Sequence, residues 1–138
     1  WMRRLGLSHA VEFLGNRRDI PQILHSLDCL VMPSIAEEAF GRVIVEAQAS
    51  GVPVIATKVG GVVEIIDDNK DGLLVYPKDH EGLADAILKI AKDPVLAQVL
   101  AQNGRQKVFH IFKVDPETVK VQAVQDDDNA ESQCHKSR

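Results

Sequence analysis

Two glutamates, Glu38 and Glu46, flank the start of a predicted helix and have the residue types and spacing for chemistry. The helix begins near Phe40 or Gly41, where unpaired N–H groups and the helix dipole attract an anion. Gly41 has no Cβ, so the backbone there leaves room for a ligand. The pattern indicates an anion-binding helix start between two carboxylates.

A purely structural explanation fits the same residues. Glu38 before the helix is favourable to its dipole without any ligand. Arg42 and Glu46 stand four residues apart, on one stripe with Ser50, and an exposed pair in this order stabilises a helix only weakly. The spacing alone leaves both explanations open.

The strands on either side of this helix must position the site. Residues 29–32 form an apolar strand before it, the helix ends at Gly51, and residues 54–56 form the next strand. Ligands of open α/β sheets bind beyond the carboxyl ends of the strands. The loop before the helix lies at such an end, so one strand–loop–helix–strand unit carries the candidate site.

A second loop is predicted at the same edge of the sheet. Residues 11–14 form a short strand, and residues 19–26 form a helix with Asp19 as its N-cap. The segment before them, residues 1–7, is predicted to end a helix at Gly6. The loop between strand and helix contains Gly15, Asn16, Arg17 and Arg18.

The rest of the chain continues the alternation of strands and helices. Residues 57–72 lead through a glycine pair, a short helix and a polar turn into a strand at residues 73–76. One helix opens at Asp79, and another begins at Pro94 and is interrupted at Gly104. The first of these two helices has an apolar stripe made of Leu83, Ala84, Ile87, Ile90 and Ala91.

Strands alternating with helices predict an α/β fold with a Rossmann-like, doubly wound parallel sheet. Because that fold serves many functions, the function has to come from the site. A dehydrogenase-type dinucleotide site needs G-x-G-x-x-G between strand and helix, and the sequence lacks it. A receiver module needs an acidic cluster at the strand ends. The predicted strand ends here are Gly15-Asn16, Pro33-Ser34 and Thr57-Lys58, which contain no acidic residue.

Length, charge and composition limit the classes of binding partner. With 138 residues, 45% of them hydrophobic and 26% charged, the chain has the make-up of an ordinary globular domain. Its net charge of −4 argues against a general nucleic-acid surface or a polybasic membrane surface. No apolar run approaches the roughly 18 residues of a membrane span. A small-molecule partner is favoured, and nothing in the sequence demands membrane contact.

The cysteines favour a reducing, cytoplasmic location. Cys29 falls in an apolar strand, where a buried reduced thiol is the default. Cys134 and His135 offer two ligands, too few for a tetrahedral site, so no metal is expected. Residues 125–138 lose apolar content and periodicity, which predicts a disordered tail after a domain of residues 1–124.

An ordered series of motifs resembles one large enzyme family. The stretch from Glu38 to Glu46 is Glu-Ala-Phe-Gly-Arg-Val-Ile-Val-Glu. Its companions are Ala47, the sequence Gly-Val-Pro-Val-Ile from residue 51, Phe13-Leu14-Gly15, Pro33-Ser34, Gly60-Gly61 with Glu64, and Asp71-Gly72-Leu73-Leu74-Val75. The series resembles the retaining, nucleotide-sugar-dependent glycosyltransferases with two Rossmann-like domains, the GT-B fold of family-four type. Gln48, where that family more often has Met, is a departure that concerns packing.

The resemblance implies roles for the site residues. Glu46 would accept hydrogen bonds from the ribose hydroxyls of the donor, and Glu38 would lie beside the donor sugar as the catalytic carboxylate. The backbone N–H groups that would meet the sugar hydroxyls and the diphosphate belong to Phe40, Gly41, Arg42 and Val43. The nucleotide base would be approached, largely through backbone groups, by Gly15, Asn16 and Arg17.

The resemblance also implies that the chain is an N-terminally truncated donor-binding domain, with its acceptor domain as a missing partner. We expect no cofactor other than the donor substrate, a nucleotide-diphosphate sugar. We also expect weak nucleotide binding and no transfer of a hexose-type sugar to a glycan, lipid or small-molecule acceptor by this chain alone. Two alternatives stay open: a non-catalytic nucleotide-binding or interaction module derived from such a domain, and a GT-B-type nucleotide-sugar epimerase or hydrolase.

Overall fold

A computed structural model describes residues 2–36 and 41–113 of the chain. The elements in these residues follow in the order α1 (Ile20–His25), β1 (Leu30–Met32), α2 (Arg42–Ala49), β2 (Val54–Thr57), α3 (Val62–Ile65), β3 (Leu73–Val75), α4 (His80–Lys92) and α5 (Pro94–Phe112). Strands and helices alternate, which confirms the predicted α/β class.

The strands form one parallel sheet in the order β1-β2-β3. Val31 of β1 lies opposite Ile55 of β2, and Ala56 of β2 lies opposite Leu74 of β3. Every residue of β2 is buried, as expected of a central parallel strand with helices on both faces. The residues of β1 are only half-buried.

Alternation along β2 divides the core in two. Val54 and Ala56 belong to a cluster with α1, α2 and α3, whereas Ile55 belongs to a cluster with α4 and α5. Ile44 of α2 and Leu100 of α5 are among the fully buried side chains of the two clusters. Helices therefore cover both faces of the sheet, which is the predicted doubly wound arrangement.

Aspartate side chains cap the N-termini of the two long helices, α4 and α5. Oδ1 of Asp79 accepts a 2.8 Å hydrogen bond from the backbone N–H of Gly82 in α4. Oδ1 of Asp93 accepts a 2.9 Å bond from the N–H of Leu96 in α5. Each carboxylate satisfies an N–H group that has no partner within its helix. The N-cap predicted at Asp79 is confirmed.

The inward face of α4 differs from the predicted stripe. Leu83 packs against the core and Ala86 and Ile90 are buried, at the three- and four-residue spacing of one helix face. The other members of the predicted stripe, Ala84, Ile87 and Ala91, are exposed.

The predicted interruption at Gly104 is wrong. Helix α5 runs without a break from Pro94 to Phe112, and Gly104 is buried in its middle. Because Gly104 has no side chain, α5 lies directly against Gln48 of α2. The glycine allows a close approach of two helices rather than ending one.

Residues 2–19 form turns and extended chain without a helix or a strand. Gly6 does adopt a positive φ of 68°, but it ends a turn rather than the predicted helix. The strand predicted at residues 11–14 is not formed: Phe13 is 80% exposed, and the segment has no ladder partner within the described residues. Neighbouring hydrogen bonds and burial stabilise a strand, and this segment has neither.

Candidate functional site

The loop after β1 is fixed at the carboxyl edge of the sheet. The hydroxyl of Thr57, at the end of β2, donates a 2.6 Å hydrogen bond to the backbone carbonyl of Ser34. Thr57 is only 3% exposed, so little water competes for this bond. The chain that leads from β1 towards α2 therefore starts from a defined position.

Helix α2 begins at this edge, with Gly41 as its N-cap. The carbonyl of Gly41 accepts a 2.9 Å bond from the N–H of Ile44. A Cβ built on Gly41 would lie 2.8 Å from Cδ1 of Ile44, so glycine at this position allows the buried isoleucine to pack closely. The first turn of α2 contains no acidic residue, so its unpaired N–H groups have no carboxylate of their own turn beside them.

Arg42 and Glu46 form the ion pair that their spacing predicts. Nη2 of Arg42 lies 3.6 Å from Oε1 of Glu46, and the two side chains are 82% and 43% exposed. An exposed pair of this length contributes little to stability. Helical side chains lean towards the N-terminus, so the carboxylate of Glu46 lies beside the first turn of α2. Val43, between the two, is half-buried.

Two of the predicted site residues, the catalytic candidate Glu38 and the backbone donor Phe40, lie outside the described residues. Their roles stay predictions. Helix α2 starts at Arg42, whereas the sequence predicted a start near Phe40 or Gly41.

The loop of Gly15, Asn16 and Arg17 stays a predicted part of the site. Helix α1 follows this loop and precedes β1, and in a parallel α/β fold a helix before a strand starts at the carboxyl edge of the sheet. Gly15 has a φ of 65°, and no atom of the described neighbours lies within 4 Å of a Cβ built on it. Asn16 is exposed. The order of the elements thus predicts this loop at the same edge as the start of α2.

Arg17 is held by Asp19. Its Nε and Nη2 donate to the two carboxylate oxygens of Asp19 at 2.8 Å and 2.6 Å. The hydrogen bonds raise the pKa of Arg17 and lower the pKa of the Asp19 carboxyl. Asp19 stands at the predicted N-cap position of α1, but its side chain binds Arg17 instead of capping the helix.

The glycine pair makes the turn from β2 into α3. Gly60 adopts a φ of 48°, and Val62 at the start of α3 is fully buried. Glu64 is exposed on this short helix. Lys58, before the glycines, lies 4.7 Å from the ring centre of Tyr76 and 3.7 Å from the carboxylate of Asp68. Turn geometry accounts for the glycines.

An ion cluster that sequence reasoning missed lies at the opposite, amino edge. Nζ of Lys107 in α5 lies 2.9 Å from Asp71 and 3.1 Å from Asp67, and it donates to the carbonyl of Ile65 at 2.7 Å. Asp71 is only 3% exposed. Burial opposes the charge on Lys107, but the hydrogen bonds to Asp71 and Asp67 raise its pKa. Since this turn precedes β3, the cluster ties α5 to the sheet and lies away from the candidate site.

A groove of about 340 Å³ also lies at the amino edge. It runs between the end of α2, at Ser50 and Gly51, and the side of α5 at Ala101 and Arg105. Because it adjoins Pro53, which precedes β2, it does not belong to the site at the carboxyl edge.

Within residues 2–36 and 41–113, no three His, Cys, Asp or Glu side chains are grouped as a metal site would require. Cys134 and His135 lie outside that part of the chain. Nor does the part described contain a helix whose length and apolar character suit a membrane crossing.

Comparison with known proteins identifies the family of the chain. Residues 1–107 match the family described as Glycosyl transferases group 1. The chain belongs to this family. The chain is 32% identical over 133 residues to N-acetyl-alpha-D-glucosaminyl L-malate synthase of Bacillus anthracis. The match covers 93% of the chain but 35% of that enzyme, so the chain spans about a third of the relative's length.

Solved structures agree with the family. HepE from Anabaena, in complex with UDP-glucose, is 38% identical and superposes with a TM-score of 0.77 over 79% of this chain and 30% of its own. The C-terminal domain of a group 1 family protein (LpcC) from Francisella tularensis is 34% identical, with a TM-score of 0.69 over 82% of this chain and 58% of that domain. The chain therefore has the Rossmann-like α/β fold of a C-terminal domain of these GT-B proteins.

Proposed function

We propose that this chain is the donor-binding part of a retaining glycosyltransferase that transfers a hexose-type sugar from a nucleotide-diphosphate sugar to a glycan, lipid or small-molecule acceptor. The start of α2 carries the proposal, because Gly41, Arg42 and Glu46 stand there together at the ligand edge of the sheet. HepE, which is similar over most of the chain, was solved with UDP-glucose bound. That complex supports a nucleotide sugar as the ligand.

In this proposal the helix start binds the charged part of the donor. The N–H groups of Gly41, Arg42 and Val43 and the positive end of the α2 dipole face the diphosphate and the sugar hydroxyls, and the N–H of Phe40 keeps its predicted role beside them. Glu46, half-exposed beside the first turn, accepts hydrogen bonds from the ribose hydroxyls. Glu38 lies beside the donor sugar. The backbone of Gly15, Asn16 and Arg17, at the same edge, approaches the base.

The chemistry needs no protein nucleophile. As the glycosidic bond breaks, negative charge grows on the leaving diphosphate, and fixed N–H dipoles stabilise that charge. The leaving phosphate then helps to take the proton of the acceptor hydroxyl, and the sugar keeps its anomeric configuration. A helix start suits this step, because its N–H donors stabilise the growing charge without needing a charged side chain.

Turnover requires more than donor binding. An acceptor must be held within a few ångströms of the donor carbon, and such positioning contributes several kcal/mol of rate acceleration. The 138 residues span about a third of the related synthase. We propose that the acceptor is held by a second domain and that this chain by itself binds the donor in the cytoplasm without transferring sugar.

One observation favours a non-catalytic module instead. Arg42 and Glu46 already pair at 3.6 Å, as two exposed residues of an ordinary helix surface do. If that pair is the whole role of Glu46, the helix start has no ribose contact.

Titration of the chain with UDP, GDP and ADP, followed by amide chemical shifts, tests donor binding. We expect localised shifts at Gly41 to Glu46 and at Gly15 to Arg17 at millimolar nucleotide. Shifts that are absent or spread evenly over the surface would refute the donor site.

A transfer assay with a panel of nucleotide sugars and acceptors tests the second part. We expect no product from the chain alone. Acceptor-dependent transfer by a monomer would refute the need for a second domain while leaving the donor site intact.

A further inference from the structure

We infer that α4 binds the α4 of a second copy of this chain, with the two helices antiparallel. The helix is apolar on two sides. On one side Leu83, Ala86 and Ile90 pack into the core. The residues of the second side are exposed, and together they form an outer stripe made of Ala84, Ile87, Leu88 and Ala91. The inference concerns this stripe and goes beyond the proposed function.

The outer stripe has the spacing of a face that packs against another helix. Its members lie three, four and seven residues after Ala84, which places them on one side of α4. Ile87 and Leu88 are 41% and 49% exposed. Apolar side chains scattered singly over a surface are ordinary, whereas these four adjoin one another. The small alanines at both ends of the stripe allow a second helix to come close.

A row of charged side chains runs along one flank of the outer stripe. Glu81 and Asp85 stand in the first half of α4, and Lys89 and Lys92 stand in the second half. All four are exposed, and Lys89 donates to Oδ1 of Asn69. No ion pair within the described part of the chain includes any of the four. At about 100° of turn per residue, the outer stripe lies between the core-facing side and this row.

The helix dipole explains the order of these charges but not their place. Acids near the start and bases near the end stabilise any helix. The dipole does not require an apolar stripe beside the row, and a helix side that faces only water gains nothing from apolar residues. A partner that covers the stripe accounts for both features.

Twofold symmetry fits the row to itself. When two helices pack antiparallel about a twofold axis perpendicular to their common plane, both rows lie on the same side of the pair. The acidic half of each row then lies beside the basic half of the other. Asp85 of one copy comes near Lys89 of the second, and Glu81 comes near Lys92. In a parallel pair the rows lie on opposite sides and do not meet, so the charges identify an antiparallel second copy as the occupant.

The interface is small. From Ala84 to Ala91 the stripe extends about 10 Å along α4. Stable interfaces bury about 1,200–2,000 Å² in total, which exceeds what two helix faces of this length offer. We therefore expect a weak dimer with a Kd on the order of 100 μM, present at high protein concentration and absent at low concentration.

Sedimentation equilibrium of the full 138-residue chain, between micromolar and millimolar concentrations, tests dimer formation. We expect Ile87→Glu to weaken the dimer at least about tenfold, because each copy then buries a charge in the contact. Val63→Glu is the matched control, since Val63 is 50% exposed on α3, which packs on the other face of the sheet. This control should dimerise like the parent chain, and circular dichroism of each variant checks that it stays folded.

Charge reversal tests the antiparallel arrangement. Asp85→Lys and Lys89→Asp each place like charges opposite one another in the dimer, so each variant alone should dimerise about tenfold more weakly. In an equimolar mixture, each introduced charge faces an opposite charge in the other variant, and dimerisation should return to the parent level. An effect within a single helix cannot produce this rescue, because mixing alters neither variant. Salt should reduce the effect of both reversals.

Several results would overturn the inference. A chain that stays monomeric at millimolar concentration leaves the stripe to another protein or domain. A dimer that forms equally well with Ile87→Glu and Val63→Glu uses a different surface, and equal loss in both variants indicates nonspecific association. A mixture of the two charge variants that dimerises no better than either alone rules out the antiparallel pair. None of these results affects the nucleotide titration that tests the proposed function.

Discussion

A Cβ built on Gly104 of α5 would lie 3.0 Å from Cγ of Gln48 in α2. The same atom would lie 3.2 Å from the backbone carbonyl oxygen of Asp71, which precedes β3. Neither neighbour moves easily, because Gln48 is 1% exposed and the other atom belongs to the backbone. The contact holds α5 against the helix whose start forms the candidate site.

Gly104→Ala should therefore lower the free energy of unfolding, by about 1 kcal/mol, even though alanine is the better helix former. Urea unfolding followed by circular dichroism measures it. In the double variant with Gln48→Ala, part of the loss from Gly104→Ala should disappear, since the closest neighbour is gone. A stabilised Gly104→Ala variant would contradict the packing described.

Gln48→Met should raise the free energy of unfolding by about 1 kcal/mol. Oε1 of Gln48 is buried with no hydrogen-bond partner among residues 2–36 and 41–113, and within them Nε2 makes a long 3.3 Å bond to the carbonyl of Asp71. Methionine keeps the length of the side chain and removes the unpaired oxygen. Gln48→Glu, which would bury a charge there, should be clearly destabilising; a methionine variant less stable than the parent would show that the amide is satisfied.

Lys107→Met should lower the free energy of unfolding by about 2 kcal/mol, because it leaves the buried carboxylate of Asp71 without its cation. The exposed pair of Lys89 with Asn69 supplies the control, and Lys89→Met should change stability little. Thermal or urea unfolding of both variants decides the point.

The cost of Lys107→Met should also depend on pH. The raised pKa of Lys107 means that its contribution is complete below the ordinary lysine pKa of about 10 and is lost as pH rises through the folded value. The hydrogen bond from Lys107 lowers the pKa of Asp67, so that contribution is present above about pH 4 and is lost as pH falls through the folded value. The free energies of unfolding of the parent chain and of Lys107→Met should therefore converge at both extremes of pH.

Cys29 should react slowly with iodoacetamide. Burial raises the pKa of its thiol to about 11, so little thiolate exists at pH 8. In a Cys134→Ser variant, alkylation should be at least about tenfold slower than for a free cysteine, and urea should restore the rate. Because the folded pKa is raised, the contribution of this thiol to stability is constant below its ordinary pKa and is lost as pH rises towards 11. Rapid labelling of the folded chain would contradict the burial.

Glu46→Gln should weaken UDP binding by about tenfold and hardly change unfolding. A carboxylate that accepts two hydroxyl hydrogen bonds loses charge assistance as an amide, whereas an exposed partner of Arg42 matters little to the fold. Calorimetry and urea unfolding of the same sample separate the two effects. Asp85→Asn, an exposed carboxylate in the middle of α4, is the control. Unchanged UDP affinity would support the purely structural explanation of Glu46.

The sequence by itself determined the α/β alternation, the parallel sheet and the stripe of Arg42 and Glu46. These follow from local patterns: apolar runs bounded by turn residues make strands, and a four-residue spacing places two side chains on one helix face. The N-cap at Asp79 was predictable for the same reason, since cap and helix are neighbours in the chain.

Only the tertiary structure decided the remaining features, because they depend on residues far apart in the chain. Glycine is a residue type that often interrupts helices, but Gly104 lets α5 pack closely against Gln48. No local pattern connects these two residues. Lys107 and Asp71 are likewise separated by 36 residues before they meet at 2.9 Å. Residues 11–14 have the pattern of a strand, but pairing and burial decide whether a strand forms, and those are supplied by neighbours in space.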